Sequence, residues 1–183
     1  MTHQERQKEQ SREWIADAFF RLLEKKPYEA ITVSEIARKA DLSRRTVYRA
    51  FADKRDILMY LFERLWPDYI AAMQALGVRK REQLAVVIVE FVNRNMAFFQ
   101  MLRRNGLEHL IVEFFDSHLG PGRDQIWGQP FSADPEVERV FMMTISVEHY
   151  NIIRLWLELC EQKTPQQMAE LISDALALFQ NFQ

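Results

Sequence analysis

The sequence predicts an all-α protein in two parts, a three-helix head joined by a connector helix to a longer helical body. Three observations carry that expectation. Apolar residues recur at helical spacing along most of the 183 residues. Only 5 Gly and 6 Pro are present, too few to turn a many-stranded sandwich or to build Gly-rich nucleotide-binding loops. Hydrophobic residues make up 48% and charged residues 27%, the balance of a chain that buries a core. At roughly 100–200 residues per domain, the length admits one domain or a small one fused to a medium one.

The elements follow in order. From Gln4 to Lys25, Trp14, Ile15, Ala18, Phe19, Leu22 and Leu23 recur at helical spacing between charges, and Pro27 ends the pattern. Thr32-Val33-Ser34-Glu35 is a capping box, Thr32 capping and Glu35 reaching back, and it starts a short helix that runs to about Ala40. Asp41 tolerates the left-handed turn that closes it, and Ser43 then caps a third helix through Thr46, Val47, Tyr48 and Phe51. Asp53, with Asp56 three residues on, opens a fourth helix carrying Ile57, Leu58, Leu61, Phe62 and Leu65, which Pro67 is expected to end or kink. Helix, tight turn and helix between flanking helices is the architecture that places one helix in a DNA major groove.

Beyond it, residues 79–94 and about 96–104 read as amphipathic helices, Asn105-Gly106 punctuates, and 107–119 resume. The stretch LGPGRDQIWGQPFSADP, with three Gly and three Pro, reads as the one long loop. Residues 136–160 and 166–182 finish as two long helices, with Thr164-Pro165 a cap and first-turn pair.

The net charge of −2 hides a division along the chain. Residues 1–60 hold 13 Lys and Arg against 10 Asp and Glu, while residues 61–183 hold 11 against 16. Between Arg38 and Arg55, seven bases face the two acids Asp41 and Asp53, a local excess suited to phosphate.

The residues ITVSEIARKADLSRRTVYRAFADKRDIL, with the preceding helix and the KPYEA lead-in, resemble the DNA-binding domain of the tetracycline-repressor (TetR) family of bacterial transcription regulators. The resemblance covers roughly residues 8–65, and the tail IIRLWLELCEQKTPQQMAELI also resembles the end of the regulatory half in a branch of that family. It implies a DNA-binding domain over 1–53, with its motif at about 32–51, and a ligand-binding and dimerisation domain over 54–183. It further implies that Thr32, Ser43 and Lys54 bind phosphate and that Tyr48 packs over the backbone. Arg44, Arg45, Thr46 and Arg49 occupy recognition-helix positions where base contacts arise, and Val47 and Phe51 point inward. An arginine grips guanine O6 and N7 in a bidentate way. Many relatives carry Gly at the place of Arg45 and His or Asn at that of Ala50, so no relative's operator transfers.

The function expected is therefore a homodimeric regulator, a repressor released from a palindromic operator by a small apolar effector. The alternative is an activator or co-regulator controlled by a protein partner without a ligand. Trp66, Tyr69, Phe98, Met101, Phe114 and His149 are the candidate effector-binding residues, although an aromatic and Met stripe at helical spacing also serves as plain core. His149, on an apolar face with Met142, Ile145, Ile153 and Trp156, reads as either a satisfied core histidine or a polar anchor. The dimer is expected on the last two helices. Phe141, Ile145, Ile152, Trp156 and Leu159 form one stripe, Val140, Met143, Val147 and Tyr150 another, and Met168, Leu171, Ile172, Ala175, Leu178 and Phe179 a third.

Catalysis, a metal site and a cofactor are not expected. Cys160 and the histidines His3, His109, His118 and His149 show no nucleophile or metal-ligand spacing. The apolar runs are too short for a membrane span and the first residues do not read as a signal peptide, so a cytoplasmic protein is expected.

Overall fold

The computed structural model describes residues 2–77 and 81–178. They form α1 (His3–Leu23), a 3-10 turn (Tyr28–Ala30), α2 (Val33–Lys39), α3 (Arg44–Ala50), α4 (Lys54–Leu76), α5 (Arg81–Arg94), α6 (Met96–Arg104), α7 (His109–Trp127), α8 (Pro135–Leu159) and α9 (Pro165–Leu178). No strand occurs among the described residues. The chain divides into two compact units, one up to Trp66 and one from Pro67 onward, so the boundary falls inside α4.

In the first unit, Thr2 starts α1 with a reciprocal cap: its hydroxyl accepts the Glu5 N–H at 3.2 Å and the Glu5 carboxylate accepts its N–H at 2.6 Å. From Ile15 onward α1 turns Ile15, Ala16, Phe19 and Leu23 into a core that also takes Ile36 of α2, Val47 of α3 and Ile57, Leu58 and Phe62 of α4. Each such side chain contributes about 1.5–3 kcal/mol of burial. Polar bonds tie α1 to α4, the Tyr60 hydroxyl donating to Glu9 at 2.6 Å and Arg64 pairing with Asp17 at 2.6 Å. The Arg12 guanidinium lies over the rings of Tyr60 and Phe51, 4.4 and 4.9 Å from their centroids.

Pro67 does not end the helix as its missing N–H predicts, since α4 runs on to Leu76. Tyr69, Ile70 and Met73 continue a buried stripe beyond it. Burying three such side chains outweighs the cost of one interior proline, about 3 kcal/mol.

In the second unit, α5 buries Leu84, Ala85, Val87, Ile88, Val89, Phe91 and Val92, leaving it few polar positions, and packs against α8 and α9. At Asn95 the path bends by 84° into α6, the Asn95 side chain donating to the Phe91 carbonyl at 2.9 Å. Gly106, at φ +66°, closes α6 in a conformation that glycine adopts without strain, and Leu107 N–H reaches the Leu102 carbonyl at 2.9 Å.

The largest departure from the sequence expectation is at residues 119–135, where Gly and Pro content predicts a loop. α7 instead continues through Gly120, Pro121 and Gly122 to Trp127, and only residues 128–134 are irregular. Phe115, Leu119, Gly122 and Trp127 are all buried at helical spacing, so packing of α7 on α8 overrides the local helix-breaking signal. α8 then begins at Asp134, whose carboxylate accepts the N–H groups of Glu136 and Val137 at 2.8 and 3.3 Å.

Of the two apolar stripes expected to face a second copy on α8, the first folds inward. Ile145, Ile152 and Trp156 are buried, and the Trp156 indole donates to Asn93 at 2.9 Å. Val140, Met143 and Val147 of the second stripe stay exposed, as do Val137 and Phe141. On α9, Met168 and Ile172 are buried while Leu171, Ala175 and Leu178 face outward; Phe179 lies outside the described residues.

Candidate nucleic-acid interface

The head presents two short helices at a fixed crossing because both starts and the link between them are hydrogen-bonded. Thr32 and Glu35 cap each other, at 3.2 Å from the Glu35 N–H to the Thr32 hydroxyl and 3.0 Å from the Thr32 N–H to the carboxylate. Lys26 pairs with the same carboxylate and, with Thr32, holds it down to a pKa of about 2. Between the helices Asp41 adopts φ +56°, and Leu42 N–H bonds the Ala37 carbonyl at 2.9 Å. Ser43 caps α3, its hydroxyl accepting the Thr46 N–H at 3.0 Å and lying 2.9 Å from the Thr46 hydroxyl. Val47 and Phe51 are buried, as expected, and fix the rotation of α3.

That rotation sends Arg44, Arg45 and Arg49 to solvent, with Tyr48 54% exposed between them. Among the described residues none of the three arginines pairs with a carboxylate. Thr32 and Ser43 are exposed and Thr46 is half-buried. Lys54 is engaged within the head: its ammonium donates to the Tyr28 carbonyl at 2.8 Å and sits 4.3 Å from the Tyr28 ring centroid. α4 opens on a cap in which Asp53 accepts from Asp56 N–H at 2.8 Å and Asp56 from Ala52 N–H at 2.9 Å.

The candidate effector residues divide between the units. Trp66 belongs to the first and is half-buried. In the second, Tyr69, Phe98, Met101, Phe114 and His149 are buried. Rings run in edge-to-face sequence from Phe98 through Phe99, Phe91, Tyr69 and Phe115 to Phe114, at centroid separations of 5.4–5.8 Å. His149 lies against Tyr69 and Phe115, accepts the Tyr69 hydroxyl at 2.5 Å through Nε2 and donates to the Ile145 carbonyl at 2.7 Å through Nδ1. The reading of His149 as a satisfied core histidine matches this geometry. Phe91 and Phe115, at the centre of the cluster, are not singled out by the sequence, where each sits in an ordinary apolar helical stripe. Among the described residues no group of three or more His, Cys, Asp or Glu converges to hold a metal ion, and no single helix is long and apolar enough to cross a membrane.

Comparison with known proteins follows the same lines. Residues 15–61 match the model of bacterial regulatory proteins of the tetR family. An uncharacterised HTH-type transcriptional regulator of Bacillus subtilis, YxbF, is 27% identical over 113 residues, which are 57% of this chain and 30% of that protein. Among solved structures, Lin0861 from Listeria innocua aligns over 98% of this chain and 94% of its own at 16% identity, with a TM-score of 0.75. NalD, the secondary repressor of a multidrug efflux pump in Pseudomonas aeruginosa, aligns over 91% and 93% at 16% identity, with a TM-score of 0.55. The likeness of fold extends through both units.

Proposed function

We propose, from the match of residues 15–61 to the model of tetR-family bacterial regulatory proteins, that this chain is a helix-turn-helix repressor of that family that grips a palindromic operator as a homodimer. Its first 53 residues read DNA, and residues 54–183 dimerise and sense an effector in the cytoplasm. The observation that carries the reading is the exposed face of α3, where Arg44, Arg45 and Arg49 surround Tyr48 between capped helix starts. An arginine there takes guanine O6 and N7, so a G-containing half-site is expected. Thr32, Ser43 and Tyr48 meet the backbone, and Lys54 joins them by exchanging the Tyr28 carbonyl for a phosphate.

Selection of bound sequences from random duplex DNA tests this. The expected product is a palindrome with half-sites about one helical turn apart. On that DNA, Arg44→Ala or Arg49→Ala weakens binding by about 1–3 kcal/mol and relaxes one base position. Unchanged affinity and specificity in both variants removes these residues from the interface.

Release by a small apolar effector rests on the buried Tyr69–His149 pair, a polar contact inside a ring cluster. A ligand that takes His149 Nε2 in place of the Tyr69 hydroxyl has to part rings now in contact, and tenfold weaker operator binding needs only about 1.4 kcal/mol of such coupling. The same closed packing favours the second reading, an activator or co-regulator run by a protein partner with no ligand. A metabolite screen read as thermal stabilisation and as operator affinity separates them. A compound that moves both supports the effector, and none that moves either supports the partner.

A further inference from the structure

The first three turns of α1 place no buried side chain in the core. No residue from His3 to Trp14 is buried, so about 18 Å of helix extends past the point where Ile15 enters the hydrophobic interior. A polar helix of that length needs a partner or a local lattice of bonds to persist. Its acids supply part of the lattice, and each is occupied: Glu5 in the Thr2 cap, Glu9 by the Tyr60 hydroxyl at 2.6 Å, and Glu13 by the Gln10 amide at 3.0 Å.

The other side of these turns borders a groove of about 670 Å³ whose opposite wall is α3. Gln7, Lys8, Ser11 and Trp14 line it from α1, and Thr46 and Arg49 from α3. No lining residue is acidic and two are basic. Amide, ammonium, hydroxyl, indole and guanidinium groups all donate hydrogen bonds, and phosphate oxygens accept them. Trp14 is half exposed at this position.

We propose that this groove between α1 and α3 holds the phosphodiester backbone of the DNA strand that passes the recognition helix, with Lys8 neutralising a phosphate there. This rests on the DNA-binding reading and extends the contact surface beyond the helix-turn-helix. Arg49 stands at the shared edge, so the strand that enters the groove is the one whose bases α3 reads. α1 thereby sets the register of α3 on the duplex.

The test uses the full chain and a duplex recovered by selection, extended by flanking base pairs on each side. Lys8→Gln is expected to weaken binding about three- to tenfold near 0.1 M salt, by the same factor on recovered and scrambled duplexes. The slope of log affinity against log salt falls by about one per chain, as for a single lost phosphate contact. Lys8→Arg restores both, and Lys25→Gln, an exposed lysine just past the far end of the same helix, changes neither. Far-UV circular dichroism and the melting temperature report whether α1 stays folded in each variant. If Lys8→Gln leaves affinity and salt slope unchanged while Arg44→Ala weakens binding, the groove is not a contact and the inference is overturned with the DNA reading intact. If the native chain binds no duplex, the DNA reading and the groove fall together.

Discussion

His149 shows how one buried side chain ties stability to acidity. Its Nδ1 faces a carbonyl, which can only accept, so that nitrogen carries the proton and Nε2 is left as the acceptor for the Tyr69 hydroxyl. A second proton on Nε2 would meet a hydroxyl already pointed at it, in fully buried surroundings. Burial pushes the imidazole down to a pKa of about 4, against the Ile145 bond that favours the charged form, and the same burial raises the Tyr69 phenol. The folded pKa lies below the unfolded value near 6.5, so between these pH values the unfolded chain binds the extra proton. Stability therefore falls as pH drops from about 6.5 to about 4, by up to about 1.4 kcal/mol per pH unit, and levels off below. Denaturant melts should show the native chain losing about 2 kcal/mol between pH 7 and pH 5 from this group. The double variant Tyr69→Phe/His149→Phe should lose that much less over the same range. An identical loss in both proteins would mean that His149 is not held neutral.

At the scale of elements, the turn from α7 into α8 depends on one buried carboxylate. Glu138 of α8 reaches back to accept the N–H groups of Phe131 and Ser132 at 3.0 and 2.8 Å, with the Arg123 guanidinium 3.5 Å away. Glu138→Ala leaves both part-buried amides to water, and at about 0.5–1.5 kcal/mol for each lost bond the second unit should be destabilised by about 1–3 kcal/mol. Hydrogen exchange should accelerate at Phe131 and Ser132 while Val137, held by the Asp134 cap, keeps its protection. Uniform protection across the segment would show that the carboxylate does not hold it. The contrast with the head explains what a sequence reader can see. Thr32, Asp41, Ser43, Asp53 and the Asn105-Gly106 stop are legible because each acts on backbone within a few residues of itself. The continuation of helix through Pro67 and Pro121 is not, because it is decided by which side chains become buried against distant elements. The same holds for Arg12 over Tyr60 and for Glu138 at the turn, whose partners the local pattern does not announce.

For the whole molecule, the proposed operator symmetry demands a second copy, because one recognition helix spans only a few base pairs and a palindrome needs two about 34 Å apart. The surface proposed for that copy is on the second unit. Val140, at 63% exposure, and Val147, at 47%, are separated by two helical turns of α8, with Met143 between them and Leu171 and Leu178 exposed on α9. The apolar face that Val140, Met143 and Val147 make along α8 is of the kind that marks an interface more often than a free surface. It also sets aside Ile145, Ile152 and Trp156, which the unit uses for its own interior. Val140→Glu with Val147→Asp places four carboxylates across a two-fold axis, where desolvation and like-charge repulsion oppose association. Sedimentation at micromolar concentration should then find the native chain dimeric and the double variant monomeric, with the same helical content. Both side chains project to solvent in the single chain, so folding should be spared. Operator affinity should drop in the variant and recover as its concentration is raised, because each head still binds its half-site but the second no longer arrives with the first. A variant that stays dimeric would place the interface elsewhere. A native chain that sediments as a monomer would remove the two-fold axis, and with it the reason for a palindrome.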